Sequence, residues 1–143
     1  MSVAAILNEK GSAVITIEPD RTLAEAAALM ASHRIGAAVV VDGRGRLLGV
    51  VSERDVVRAL AETGAEAVAL VVRTVMTRDV VTCGPGETIN ELMVRMTRGR
   101  FRHVPVMEDG RLVGIVSIGD VVKERVEEIE HESEALRDYI RTA

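Results

Sequence analysis

Gly49-Val-Val-Ser-Glu-Arg-Asp55 returns 65 residues later as Gly114-Ile-Val-Ser-Ile-Gly-Asp120. Each is a short β-branched run that ends in Ser and reaches an acid three residues on, the pattern of a strand running into a helix. The surroundings repeat as well. Arg46-Leu47 meets Arg111-Leu112, and Asp55-Val-Val57 meets Asp120-Val-Val122. Further upstream, past a one-residue deletion in a turn, the offset becomes 66. There Thr16 meets Thr82, Pro19 meets Pro85, Thr22 meets Thr88, Glu25 meets Glu91, Met30 meets Met96 and Arg34 meets Arg100. Ordered matches over about 45 residues with a single gap mark an internal duplication.

Each copy carries the same local signals. The runs Val14–Ile17 and Val80–Cys83 predict a first strand, ended by Pro19 and Pro85. Thr22 with Glu25, and Thr88 with Glu91, form the sequence of a capping box. Leu23, Ala26, Ala27 and Met30, like Ile89, Leu92, Met93 and Met96, then follow helical spacing. Two strands come next: Ala37–Val41 and Arg46–Val51 around Asp42-Gly-Arg-Gly45, and Val104–Met107 and Arg111–Val116 around Glu108-Asp-Gly110. A second helix opens at Ser52 or Ser117. The fold class expected is α/β (α+β), with the order β-α-β-β-α twice. Residues 1–62 form copy one with an N-terminal helix, 63–77 a linker with one further short helix inside Ala65–Val75, and 78–143 copy two with an extended last helix. On that helix Val122, Val126, Ile129, Leu136 and Ile140 make a sparse apolar stripe, which packs either on its own domain or on a second subunit.

Composition removes several functions. Of 143 residues 48% are hydrophobic but only 1% aromatic, so the core is aliphatic. A net charge of −4, with Phe101 and Tyr139 as the only aromatics, argues against nucleic acid as a partner. Cys83 is alone, and His33, His103 and His131 are far apart, so neither a disulfide nor a Cys/His metal site is expected. The N-terminus lacks a basic signal region and no apolar run is long enough for a bilayer, which predicts a cytoplasmic setting without membrane contact. No Gly-rich phosphate loop is present, and no cofactor is expected. Cys83 has no evident base, Ser52 and Ser117 have no nearby His in sequence, and His103 runs into Val-Pro; the chain reads as a non-enzyme.

Tandem β-α-β-β-α copies, each closing on Gly-[Val/Ile]-Val-Ser-x-x-Asp, resemble a cystathionine-β-synthase (CBS) domain pair, or Bateman module. Arg102-His-Val-Pro-Val106 and Met76-Thr77 resemble the same family, and the likeness covers nearly the whole chain. It implies a pseudo-two-fold module that binds AMP, ADP, ATP, NAD or S-adenosylmethionine between the copies, pairs into a homodimer, and regulates a separate effector in response to energy state. A ligand-free interaction module is the alternative.

The candidate ligand residues follow. Asp55 and Asp120 suit the paired hydroxyls of a ribose, beside Ser52 and Ser117; an acid in a first helical turn also serves stability alone. Thr16 and Thr82 stand where the family contacts ribose or phosphate, although Thr is ordinary in strands. Ile35–Ala38, with the small Gly36 and Ala37, and Phe101–Pro105 with Pro105, are expected to form the adenine slots. Lys10, Arg54, Arg58, Arg100, Arg102 and His103 are the cations available to phosphate. The copies differ at these positions, and the set Thr82, Arg102, His103, Ser117 and Asp120 is preferred because it places cations beside a Ser/Asp pair.

Overall fold

The computed structural model describes residues 1–142. Helix α1 (Val3–Lys10) precedes copy one, which comprises β1 (Thr16–Ile17), α2 (Leu23–His33), β2 (Ala37–Val41), β3 (Leu47–Ser52) and α3 (Glu53–Thr63). A 3₁₀ turn (Gly64–Ala69) and the short α4 (Val72–Val75) lead into copy two, with α5 (Ile89–Gly99), β4 (His103–Glu108), β5 (Arg111–Ser117) and α6 (Ile118–Thr142).

The duplication extends to hydrogen bonds. Both capping boxes form, Thr22 with Glu25 and Thr88 with Glu91. Both α2 and α5 end on an arginine in the left-handed conformation, Arg34 at φ 55° and Arg100 at φ 56°. β2 and β3 are antiparallel, as are β4 and β5, and the register slips at Val40/Val41 in one pair and at Val106/Met107 in the other. β1 runs parallel to β2, with Ile17 opposite Val40.

The first strands are shorter than the apolar runs predict. Copy two keeps a single parallel bridge, Cys83 to Val106, at the position equivalent to Ile17 and Val40. The Val80 N–H turns back onto the Arg78 carbonyl at 2.9 Å, which takes that backbone off the sheet. The linker, expected to hold one helix, splits in two because Leu70 and Val71 pair with the start of α2. Leu23 N–H donates to the Leu70 carbonyl and Val72 N–H to the Arg21 carbonyl, each at 2.8 Å.

The two cores interlock. Val3, Ile6 and Leu7 of α1 are buried with Ile89, Leu92, Met96, Val104 and Val116 of copy two. Ala67 and Val72 of the linker are buried with Leu23, Ala26, Met30 and Val51 of copy one. The lead-in to each copy thus completes the core of the other. The same exchange shows in the backbone: Val3 N–H donates to the Glu87 carbonyl and Ala4 N–H to that of Pro85, while Val72 N–H and Arg73 N–H donate to Arg21 and Pro19. Burying this aliphatic surface drives association of the copies, at about 25 cal/mol per Å2.

α6 buries only Val121 and Glu124. Val122, Val126, Ile129, Leu136 and Ile140 are all exposed, so of the two packings open to that stripe, the one against its own domain does not occur. No helix among the described residues is long and apolar enough to cross a membrane.

Candidate functional site

The two Ser-x-x-Asp segments stand at equivalent strand-to-helix junctions. At Ser52 the β-extended backbone exposes the first amides of α3, and the side chain answers them. Asp55 Oδ2 accepts from Ser52 N–H at 2.8 Å and from its hydroxyl at 3.1 Å, and Arg58 donates to Asp55 Oδ1 at 3.2 Å. Asp55 is buried with both carboxylate oxygens engaged.

At Ser117 the same pattern begins: Asp120 Oδ2 accepts from Ser117 N–H at 2.8 Å, and Asp120 N–H donates to the Ser117 hydroxyl at 3.2 Å. There the resemblance stops. Lys10, the last residue of α1, donates to Asp120 Oδ2 at 2.7 Å and to the Ile115 carbonyl at 2.9 Å. Burial alone would raise the Asp120 carboxyl, but Lys10 and the Ser117 amide outweigh it and hold the acid below its ordinary range. In copy one the equivalent edge is closed by backbone instead: Val50 and Thr77 exchange two hydrogen bonds, at 3.0 and 2.9 Å.

A cleft of about 500 Å3 opens at the copy-one junction. Copy one contributes Gly36, Val50, Ser52, Glu53, Arg54 and Arg58; the strand entering copy two contributes Thr77, Asp79, Val80 and Val81; copy two contributes Gly99 through His103. Arg54, Arg100 and Arg102 form no ion pair among the described residues. Their charge outweighs Glu53 and Asp79, so the cleft suits an anion, while Val50, Val80, Val81 and Phe101 supply an apolar wall.

His103 lies between the two junctions. In the sheet it pairs with Ser117, as Ala37 pairs with Ser52. Its ring reaches Gly36, where a methyl would stand 3.4 Å from His103 Cε1. Burial pushes the imidazole below its ordinary value, aided by Lys10 and Arg102 and opposed by Glu53 and Asp120. His103 is therefore neutral near pH 7.

The candidates chosen from sequence divide between places. Gly36, Ser52, Arg54, Arg102 and His103 come together in the cleft. Lys10, Ser117 and Asp120 gather at the other junction. Ala37 is buried in β2 opposite Ser52, and Pro105 is buried in β4 opposite Ile115. Thr82 offers its carbonyl to Arg95 at 2.7 Å, and Thr16 lines a separate depression beside Glu18 and Asp42. Thus Arg102 and His103 line the copy-one cleft, whereas Ser117 and Asp120 belong to the other junction. Sequence reading had not singled out Val50, Glu53, Asp79, Val80 or Val81 for the cleft. Val80 and Val81 looked like strand, and only the turn at Val80 brings them to the wall.

No catalytic arrangement involves the lone thiol. Cys83 is buried, and desolvation with Glu87 pushes it up to about 11, leaving it protonated and unreactive.

Two interlocked β-α-β-β-α copies with an arginine-lined cleft at their junction define a tandem-repeat α/β module. The chain belongs to the CBS domain family, which it matches over residues 6–62 and 72–127. It is similar to the crystal structure of a CBS-domain containing protein from Agrobacterium tumefaciens, with 50% identity and a TM-score of 0.85 over 87% of this chain and 92% of that one. A mitochondrial CBS domain-containing protein of Arabidopsis thaliana is 32% identical over 148 residues, covering 98% of this chain and 72% of that protein. The CBS domain pair of protein MJ0100, solved in complex with 5′-methylthioadenosine and S-adenosyl-L-methionine, is 28% identical with a TM-score of 0.80 over 90% of this chain and 98% of that one. The chain spans between 39% and 72% of the length of three curated relatives that it matches.

Proposed function

We propose that this chain is a regulatory module, not a catalyst, and that it binds a phosphorylated adenosine compound of the AMP, ADP, ATP or NAD type in the copy-one cleft. The observation that carries this reading is the group Arg54, Arg100 and Arg102, unpaired around Ser52. Guanidinium groups hold phosphate through paired donors. The adenosine compounds on the MJ0100 pair support the purine half of the assignment. The arginines favour phosphate over the uncharged ribose substituent of methylthioadenosine. Val80, Val81 and Phe101 receive the base, and Gly36 leaves room for it.

The signal passes to a second copy and from there to a separate protein effector. The exposed residues Val122, Val126, Ile129, Leu136 and Ile140 fall, with Ser133, on alternating spacings of four and three, the seam of a two-stranded coiled coil. Sedimentation that showed a monomer at micromolar concentration would remove the dimer from this reading.

Thermal unfolding with AMP, ADP, ATP, NAD and S-adenosylmethionine tests the ligand. At 100 times its dissociation constant a ligand adds about 2.7 kcal/mol, a rise of about 5–10 °C for a chain of this size. A rise with the phosphorylated compounds supports the reading, and an unchanged midpoint across the panel leaves an interaction module without a nucleotide.

A further inference from the structure

The face of α6 opposite the apolar seam holds an arrangement of another kind. Glu124 is only 3% exposed, and its Oε2 has no hydrogen-bond partner among the described residues. Carboxylate oxygens of Glu9, on α1, and of Glu124 and Glu127, on α6, all lie within 4.8 Å of one another. Glu124 and Glu127 are one helical turn apart, which aims both at the same point on α1. The nearest ammonium, Lys123, reaches only the exposed Glu9, at 3.8 Å.

Like charges this close, one of them buried, require a compensating cation or a shared proton. A proton shared between Glu9 and Glu124 neutralises one carboxylate and leaves Glu127 beside it without an ion-pair partner among the described residues. A dication serves all three carboxylates, and with Lys123 it balances their charge. We infer that Glu9, Glu124 and Glu127 bind a hard divalent cation, of the Mg2+, Mn2+ or Ca2+ kind, between α1 and α6. All-oxygen donors suit these ions and not the softer ones. The ion fastens α1 to α6, next to the point where Lys10 of α1 enters the copy-two junction.

The test uses the full chain without nucleotide, stripped with EDTA and returned to MnCl2, MgCl2 or CaCl2 at millimolar concentration. At ten times the dissociation constant the unfolding midpoint rises by about 3–5 °C. Manganese spectroscopy shows about one bound ion per chain. The differential response among the three salts identifies the preferred ion. Glu127→Gln and Glu9→Gln abolish the response, and Glu124→Gln abolishes it while raising the ion-free midpoint, because it removes the crowded charge. An equal midpoint rise in wild type and all three variants, or no bound manganese at millimolar concentration, overturns the assignment.

Discussion

The Ser52–Asp55 and Ser117–Asp120 junctions begin from one local code and end as different environments. Both use a serine and an acid three residues on to satisfy the first amides of a helix. What differs is the segment that arrives from the other copy. At the first junction Thr77 brings backbone, which pairs with Val50 and leaves an open cleft beside Arg54 and Arg102. At the second, α1 brings Lys10, whose ammonium fills the space next to Asp120 and caps the Ile115 carbonyl. The lead-in hydrogen bonds make Val3 and Ala4 the counterparts of Val72 and Arg73, so Leu7, against Gly114, stands where Met76 stands against Gly49, and Lys10 falls at the place of Asp79. The lead-in itself separates the two junctions: an eight-residue helix that ends on Lys10 fills one, and a four-residue helix followed by the Thr77 backbone leaves the other open.

Glycine replacement probes this contrast most strongly. A methyl on Gly49 would lie 2.5 Å from the Thr77 carbonyl oxygen, a backbone atom held by two hydrogen bonds. A methyl on Gly114 meets the Leu7 side chain, which has rotamers to spend. Gly49→Ala is expected to cost about 3 kcal/mol and Gly114→Ala about 1 kcal/mol, measured by urea unfolding. Equal losses would mean that both lead-ins yield alike and that the backbone closure at Thr77 is not rigid.

Asp55→Ala removes a buried carboxylate with three hydrogen bonds, whereas Asp120→Ala removes a half-exposed one. The first is expected to cost about 2–3 kcal/mol and the second about 1 kcal/mol in the same assay. A larger loss at Asp120 would show that the Lys10 contact is the stronger fastening.

For nucleotide, Arg102→Ala is expected to weaken ATP binding about tenfold by titration calorimetry, through loss of a charge-assisted contact. Asp120→Ala is expected to leave affinity within about twofold of wild type. The reverse outcome would move the ligand to the copy-two junction, with Lys10 displaced from Asp120.

The smallest expected effect is in pH. His103 has a folded value below 6.5, so the unfolded chain holds more protons as pH falls through 6.5. Its contribution to stability is complete above that pH and is lost as pH drops toward the folded value. A phosphate at the ring reverses the preference by favouring imidazolium. ATP affinity is therefore expected to rise modestly from pH 8 to pH 6, and His103→Asn to flatten that slope. A slope that persists in the variant would place the phosphate away from His103.

Much of the architecture was legible in residue order. The capping boxes at Thr22 and Thr88, the turns after Val41 and Glu108 and the paired Ser-x-x-Asp junctions are local signals, decided by backbone groups that must be satisfied within a few residues. The weaker readings were those that depended on a distant partner. Val80 and Val81 have strand composition, yet the turn onto Arg78 carries them into the cleft wall. Arg102, grouped with Ser117 as a cation beside a Ser/Asp pair, touches both junctions: its carbonyl accepts from Ile118 N–H at 2.7 Å, and the residue also lines the cleft of Ser52.

Sequence alone determined that the chain is a duplication, where the two principal helices of each copy start and which residues are apolar enough to form a core, since these follow from periodicity and hydrogen-bond demand along one stretch of chain. Tertiary structure decided which lead-in completes which copy, why one junction is open and the other holds Lys10, and that Glu9 meets Glu124. Those outcomes depend on residues far apart in the chain, 27 positions for Val50 and Thr77 and 110 for Lys10 and Asp120. Their proximity is set by the exchange of α1 and the linker between two nearly equivalent cores, a choice that burial of the whole apolar surface makes and no local pattern encodes.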